Sequence, residues 1–390
     1  MLKSLIIKIL AKIILILGLI FRKKRSINSK AIKSILINRS DRLGDAIISL
    51  PLLIELNKRF EITVLTSQYN DLILNSFVKT KIFNYKPLSF LESVNMILKN
   101  VLYSRHPKKG LAVPEYDLYL DLMGIRGLDV FLKIKKLNLC RYCADFNLGI
   151  WNLFLDSINI RNPALFSKSH TLDSQRELIN RSLELNLDVP DYIDLTPKMV
   201  KPGDFNVQSP YILVNISGSN KFRGPTPQMF AQILNGIVFD GKIIIMAELE
   251  KPDLNGFKKY ILKDNIIYLE REYSVWELLY IAQKSLLYIG SDLGITQILG
   301  IPTNCIVFFA DNLPMSWKPY SKNSYQMIKI GKTVIEETKN SKGLIKKVIY
   351  RPVWCSPCFD TGCHAYPCIR KIDKITARDQ INQTLRGILN

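Results

Sequence analysis

The feature that most restricts what this chain can become is an alternation of short apolar runs with helix-spaced segments, interrupted once and then restarted. Before the interruption, Lys33 to Asn38 (KSILIN) reads as a strand followed by a turn. Asp45 to Lys58 carries Ile and Leu at helical spacing, and Glu61 to Thr66 (EITVLT) reads as a second strand. That is the length a parallel βαβ crossover needs. Tyr116 to Leu122 (YDLYLDL) adds a strand ending at Gly124. Between about Asp188 and Pro210 the chain turns polar and collects Pro190, Pro197, Pro202 and Pro210, as a linker does. Then the alternation resumes. Strands are expected at Tyr211 to Ile216, Lys242 to Met246, Ile266 to Leu269, Leu286 to Ile289 and Cys305 to Phe309, with helices at Pro227 to Val238 and Val275 to Ala282.

A chain of 390 residues is longer than one hydrophobic core of about 250–300 residues supports. The pattern therefore predicts an α/β protein of two Rossmann-like, doubly wound domains facing a cleft. Residues 31–200 form the first domain and 201–375 the second. Residues 376–390 form a C-terminal helix that packs back on the N-terminal domain.

Residues 1–30 stand apart. Leu2 to Phe21 is almost wholly apolar, broken by Lys3, Ser4, Lys8 and Lys12, and followed by Arg22-Lys23-Lys24-Arg25. Ser4, Lys8, Ala11, Lys12 and Gly18 share one helical face. The uninterrupted run Ile13 to Phe21 is about half of the ~20 residues a membrane span requires. It reads as an amphipathic helix lying in the membrane interface, its basic residues facing anionic lipid, with a spanning signal-anchor as the alternative. The formal net charge of +20 suits polyanionic partners. Heavy use of Lys, Asn and Ile accounts for much of it, and the absence of an aromatic-basic sheet motif or a two-histidine finger spacing argues against nucleic acid.

Three loops sit where open parallel sheets place their chemistry, beyond the carboxyl ends of strands. The first is Asn38-Arg39-Ser40-Asp41-Arg42-Leu43-Gly44-Asp45. It lacks the glycine-lysine pair of a P-loop, and by position alone Asp45 at its end reads first as a helix cap, with a working carboxylate as the alternative. The second is Asn215-Ile216-Ser217-Gly218-Ser219-Asn220-Lys221, whose small residues, exposed amides and lysine suit a diphosphate. The third, Gly290-Ser291-Asp292-Leu293-Gly294-Ile295-Thr296-Gln297, could aim amides at a phosphate from a helix N-terminus.

These stretches, in this order, resemble glycosyltransferase family 9, the bacterial lipopolysaccharide heptosyltransferase family. The likeness runs from about Lys33 to Ile375. It is carried by ILINRSDRLGDAIISLPLL, YDLYLDLMGIRG, HTLDSQRELINRSLELNL from His170, VNISGSNKFRGPTPQMFAQIL, and the long segment from Tyr273 to Tyr320. The resemblance implies a GT-B architecture and an inverting, metal-independent transfer of a sugar, a heptose, from a nucleotide-sugar donor such as ADP-heptose to a lipopolysaccharide core or related surface glycan. No cofactor is implied beyond that co-substrate. Carried over by position, Asp45 is the general base. Ser217, Ser219, Lys221, Glu250, Asp292, Gly294, Ile295, Thr296 and Gln297 face the donor, with Glu248 competing with Glu250 for the ribose. Arg39, Asp41, Arg42, Gly44, Asp121, Gly124 and Arg126 lie on the acceptor side. The partners implied are the donor, a lipid-linked glycan and the anionic inner-membrane surface, which the protein meets from its cytoplasmic face.

The chain also departs from the family pattern. Leu293 and Gln297 stand where the family has Thr and His, Lys221-Phe222-Arg223-Gly224-Pro225 alters its Lys-Arg-Trp-Pro, and Phe309-Ala310-Asp311-Asn312 alters its Phe-Gly-x-Thr. A hexose donor, or a non-catalytic protein of the membrane surface, are the alternatives these changes raise. Cys355, Cys358, Cys363 and Cys368 cluster around His364 near the C-terminus, where related members carry similar clusters. The spacing fits no standard finger, so structural zinc, reduced thiols and disulfides all stay open.

Overall fold

Apolar runs that can bury both faces of a strand build two sheets, one on each side of the proline-rich stretch. The computed structural model describes residues 27–83, 115–123, 140–144, 169–217, 224–247, 252–269, 271–310, 314–355 and 367–390. The chain divides into Met1–Val189 and Pro190–Asn390. The border thus falls at the start of the linker rather than at the expected residue 200, because Leu187 and Val189 are buried at the end of the first unit. The expected N-terminal helix lies outside the described residues, and among those described no helix is long and apolar enough to cross a membrane.

In the first unit five strands, β1 (Ser34–Arg39), β2 (Glu61–Thr66), β3 (Lys79–Ile82), β4 (Tyr116–Asp121) and β5 (Cys140–Ala144), lie parallel in the order β3-β2-β1-β4-β5. Ile35, Leu36 and Ile37 of the central β1 are 0–1% exposed, as expected of a parallel strand covered on both faces. Helices α1 (Leu43–Asn57), α2 (Gln68–Leu74) and α3 (Thr171–Leu183) pack with it. Ser67 accepts a bond from the Asn70 amide to cap α2, and α3 closes through Glu184 in the left-handed region, φ 52°.

The second unit holds β6 (Tyr211–Asn215), β7 (Lys242–Met246), β8 (Ile266–Tyr268), β9 (Leu287–Ser291), β10 (Cys305–Phe308), β11 (Gln326–Ile330), β12 (Thr333–Lys339) and β13 (Ile345–Tyr350). Its helices are α4 (Pro227–Asn235), α5 (Pro252–Tyr260), α6 (Val275–Lys284), α7 (Gly294–Leu299), α8 (Pro314–Trp317), α9 (Pro367–Arg370) and α10 (Lys374–Leu389). The sheet runs β11-β12-β13-β10-β9-β6-β7-β8. From β8 to β13 all pairings are parallel and the order is the 3-2-1-4-5-6 of a dinucleotide-type fold. The hairpin β11–β12 then extends the sheet antiparallel.

The core of this unit gathers Val214, Phe230, Leu234, Ile245, Phe257, Ile289 and Phe308, with Phe230 meeting Phe308 edge-to-face at 5.9 Å. Thr226 and Pro227 start α4, and a Ser274–Glu277 capping box starts α6. The C-terminal helix, expected on the N-terminal domain, is instead built into this second core. Ala377, Ile381 and Leu385 form one stripe of α10 and are 0–1% exposed against α4. Polar ties agree with that placement: Lys374 Nζ donates to Gln232 Oε1 at 2.7 Å, and the Val238 amide donates to Asn382 Oδ1 at 2.9 Å.

Candidate functional site

The first loop leaves β1, the middle strand of its sheet, and enters α1. The residue at the N-cap of α1 is Arg42, whose side chain makes no cap bond, and Asp45 stands inside the first turn. Asp45 is therefore not the cap. It is 7% exposed, and its backbone carbonyl accepts from both Ser49 Oγ at 3.0 Å and Arg39 Nε at 3.1 Å. The Ser49 hydroxyl also lies 2.9 Å from Gln175 Oε1 of α3.

Arg39 organises this loop. Its side chain is fully buried; besides holding the Asp45 carbonyl it donates through Nη1 to the Leu122 carbonyl at 2.6 Å. Its Nη2 lies 3.3 Å from Asp41 Oδ2 and 4.0 Å from Asp45 Oδ1. One guanidinium thus ties the end of β4 to the start of α1 and keeps positive charge beside two carboxylates. Asn70 closes the other side, donating to the carbonyls of Arg39 and Asp41 at 3.3 and 2.9 Å.

Next to it, Asp121 at the end of β4 accepts from Asn38 Nδ2 at 2.9 Å, Tyr119 Oη at 2.6 Å and the Met123 amide at 2.8 Å. Complete burial pushes the Asp121 carboxyl above its ordinary range, and these donors together with the Arg39 charge pull the other way. Of the residues expected on the acceptor side, Arg39 and Asp121 have no exposed surface and brace the loop from behind. Arg42 is exposed, Asp41 and Gly44 are partly so, and Gly124 and Arg126 lie outside the described residues.

In the second unit the β6 loop begins with Asn215, whose side chain accepts from the Ser217 amide at 2.9 Å and turns the chain away from the sheet. Ser219 and Lys221 lie outside the described residues, as do Glu248 and Glu250. The chain returns at Gly224, where a Cβ would run into the Ser291 hydroxyl, so the loops after β6 and β9 press together there. Ser291 is fully buried, and its hydroxyl has no protein partner.

The third loop runs from β9 into α7. The Asp292 amide donates to the Phe308 carbonyl at 3.0 Å and fixes the turn against β10. Leu293 is the N-cap and offers no side-chain bond, so Gly294 and Ile295 begin the helix without one. Thr296 is turned inward, its hydroxyl 2.9 Å from Tyr288 Oη, and with no exposed surface it offers a ligand no side chain. Gln297 Nε2 donates to the Trp317 carbonyl at 2.7 Å, which joins α7 to α8. At the far end of α7, Lys346 donates to the carbonyls of Gly300 and of Thr303, the latter at 2.8 Å. Burial pushes the Lys346 ammonium below its ordinary range.

Beneath α8 lies a buried ion pair that its sequence does not announce. Lys318 Nζ lies 2.5 Å from Glu336 Oε2 and 3.4 Å from the centre of the Tyr325 ring, while Tyr350 donates to Glu336 Oε1 at 2.7 Å. Both charged residues are 2–3% exposed. Lys318 follows α8 and Glu336 lies on β12, 18 residues further on, so linear spacing gave no signal. Of the cysteine cluster, Cys355 is partly exposed and Cys368 is buried on α9, while Cys358 and Cys363 lie outside the described residues. Among the described residues no group of three or more His, Cys, Asp or Glu could hold a metal ion.

The sequence matches no protein-family model, and no curated protein is similar to it. Solved structures do share its fold. The glycosyl transferase family 9 protein of Veillonella parvula aligns over 77% of this chain and 85% of its own, with 14% identity and a TM-score of 0.53. The E. coli ADP-heptose lps heptosyltransferase II aligns over 92% of this chain and all of its own, with 11% identity and a TM-score of 0.56. The E. coli heptosyltransferase WaaC with ADP aligns over 73% and 90%, with 11% identity and a TM-score of 0.51. At these identities the likeness is one of fold: an α/β chain with parallel sheets, of the kind found in GT-B glycosyltransferases.

Proposed function

We propose that the chain is a glycosyltransferase of the heptosyltransferase kind, moving a heptose from an ADP-linked donor to a lipid-linked surface glycan such as a lipopolysaccharide core. The observation that carries this reading is the setting of Asp45. It is a nearly buried carboxylate beyond the carboxyl end of a central parallel strand, in a loop held by the fully buried Arg39. Support comes from the fold shared with two E. coli heptosyltransferases, one of them solved with ADP.

In this reading Asp45 takes the proton of the acceptor hydroxyl as its oxygen bonds to the anomeric carbon. The bond from that carbon to the donor phosphate breaks, and the nucleoside diphosphate leaves with the electron pair from the opposite face, inverting the configuration. Lys221 and the amides at Gly294 and Ile295 meet the charge that grows on the diphosphate, which supplies without a metal what a divalent cation would otherwise supply. The protein works as a peripheral protein on the cytoplasmic face of the inner membrane, where such acceptors are presented.

Product formation from ADP-heptose and a core acceptor, followed by mass spectrometry, tests the activity. Asp45→Asn should lower kcat by about 10²-fold or more, the usual reach of a positioned base, and a variant at full rate would remove the mechanism. Thermal unfolding with ADP, UDP, GDP and CMP tests the donor, since a nucleotide at a hundred times its Kd stabilises a fold by about 2.7 kcal/mol. Selectivity for ADP is expected. Selectivity for UDP or GDP would point to a hexose donor, a reading that Gln297 favours because its amide is committed to the Trp317 carbonyl. No shift with any nucleotide and no product would leave a non-catalytic protein of the membrane surface.

A further inference from the structure

We propose that the β11–β12 hairpin is a membrane-docking element that seats in the headgroup layer of an anionic bilayer. The proposal is independent of the donor and acceptor chemistry above. All five residues of β11 are exposed, although they belong to a sheet of eight strands. Both faces of the strand stand clear of the body: Met327 is 63% exposed on one, and Ile328 and Ile330 are 44% and 41% exposed on the other. Scattered exposed apolar side chains are ordinary on a soluble surface. On this five-residue edge strand Ile328 and Ile330 lie side by side on one face and Met327 stands on the other, so the edge is apolar on both sides, and exposed apolar patches mark interaction surfaces.

The charge around this strand selects the partner. Lys329 lies within β11, and Lys332 follows Gly331 in the two-residue turn, where Gly331 takes φ 58°. Lys322 and Lys339 are exposed at the opposite end of the hairpin. Its two glutamates are neutralised from the body of the unit. Glu336 pairs with Lys318 at 2.5 Å, and Glu337 pairs with Lys347 at 2.8 Å. At the foot, Asp191 accepts from the Lys322 and Ser341 amides, each at 3.3 Å. The free rim is therefore cationic around an apolar edge, the combination that binds anionic lipid surfaces.

The depth of seating follows from the backbone. The outer edge of β11 carries peptide groups that pair with no strand among the described residues, and such groups cannot enter hydrocarbon unpaired. In the headgroup layer they stay hydrated while Met327, Ile328 and Ile330 reach the acyl boundary. A second copy of the chain is a poorer occupant. Pairing two five-residue strands buries less than the roughly 1,000 Å² a stable interface needs, and it brings together two chains of net charge +20.

The test uses the full chain and phosphatidylcholine vesicles with or without about a third phosphatidylglycerol. Hydrogen exchange should slow across residues 326–332 when anionic vesicles are added, and stay unchanged with neutral ones. Lys329→Glu with Lys332→Glu should lower the partition coefficient on anionic vesicles by about tenfold or more, with the unfolding midpoint and the nucleotide-induced shift preserved. Ile328→Ser with Ile330→Ser should weaken binding as well. The N-terminal segment is the same in every protein compared, so the difference reads the hairpin alone. Unchanged exchange at 326–332 with equal partitioning of the variants would overturn the proposal. Protection that grows with protein concentration and without lipid would overturn it too, assigning the edge to a second copy.

Discussion

The two units share a strand order and put their buried charges to different uses. In the first, Arg39, Asp45 and Asp121 cluster at the carboxyl ends of β1 and β4, on the side where an open parallel sheet binds its ligand. In the second, the buried lysines are Lys318, Lys346 and Lys347. They join the added hairpin and β13 to the parallel core through Glu336, Glu337, Gln380 and the carbonyls after α7. Buried charge costs desolvation in both places. In the first unit the cost holds one carboxylate in one orientation; in the second it attaches an extension to a sheet that is otherwise closed by apolar packing.

The largest effect that would break this comparison is at Arg39. Arg39→Met leaves Asp41 and Asp45 without their shared cation and takes one donor from each of the Leu122 and Asp45 carbonyls. It should cost about 3–5 kcal/mol in urea unfolding. A cost near zero would deny that the first unit depends on this residue. Next, Glu336→Gln strips Lys318 of its partner and should cost about 3 kcal/mol, whereas replacing both by apolar residues of similar volume should be nearly neutral. An equal loss for the single and double variants would show that the pair does more than attach the hairpin.

A third contrast lies in pH. Asp121 has its folded pKa raised by burial, so its contribution is fully present below the unfolded value of 3.8 and is lost as pH rises through the folded one. Lys346 has its folded pKa lowered by burial, so its penalty is relieved as pH rises from that value toward 10.5. Unfolding from pH 4 upward should show Asp121→Asn gaining on the parent chain, and Lys346→Met should lose its advantage as pH rises toward 10.5. The smallest effect is at a cap: Thr226→Ala removes the bond to the Met229 amide and should cost about 1 kcal/mol.

How much of this the sequence disclosed varies with the kind of residue. Glu61–Thr66 and Lys242–Met246 appear as strands with the bounds read from their letters, because each is an apolar run between turn-forming residues. β5, with sequence CRYCA, has no such run and passes unseen. β12 and β13 pass unseen for another reason: Glu336, Lys346 and Lys347 read as solvated charges, and only cross-strand register reveals that they are inside. Within the candidate site, Asp45 was legible from its place after a strand. The inward turn of Arg39 was not, since a charged residue in a polar loop is ordinarily exposed. The C-terminal helix was expected from the letters, but its place in the second core was not.

The position of α10 also sets the timetable of the chain's own making. Everything the first unit needs among the described elements has been synthesised by Leu183, so that unit can close while the ribosome is still working. The second cannot, because Phe230 and Leu234 wait for Ala377, Ile381 and Leu385 to cover them. At about 5–20 residues per second, that core stays open for on the order of ten seconds or more after β6 emerges. Nascent second-unit chains are therefore the species a holdase would meet, and the last helix is the point at which they stop needing one.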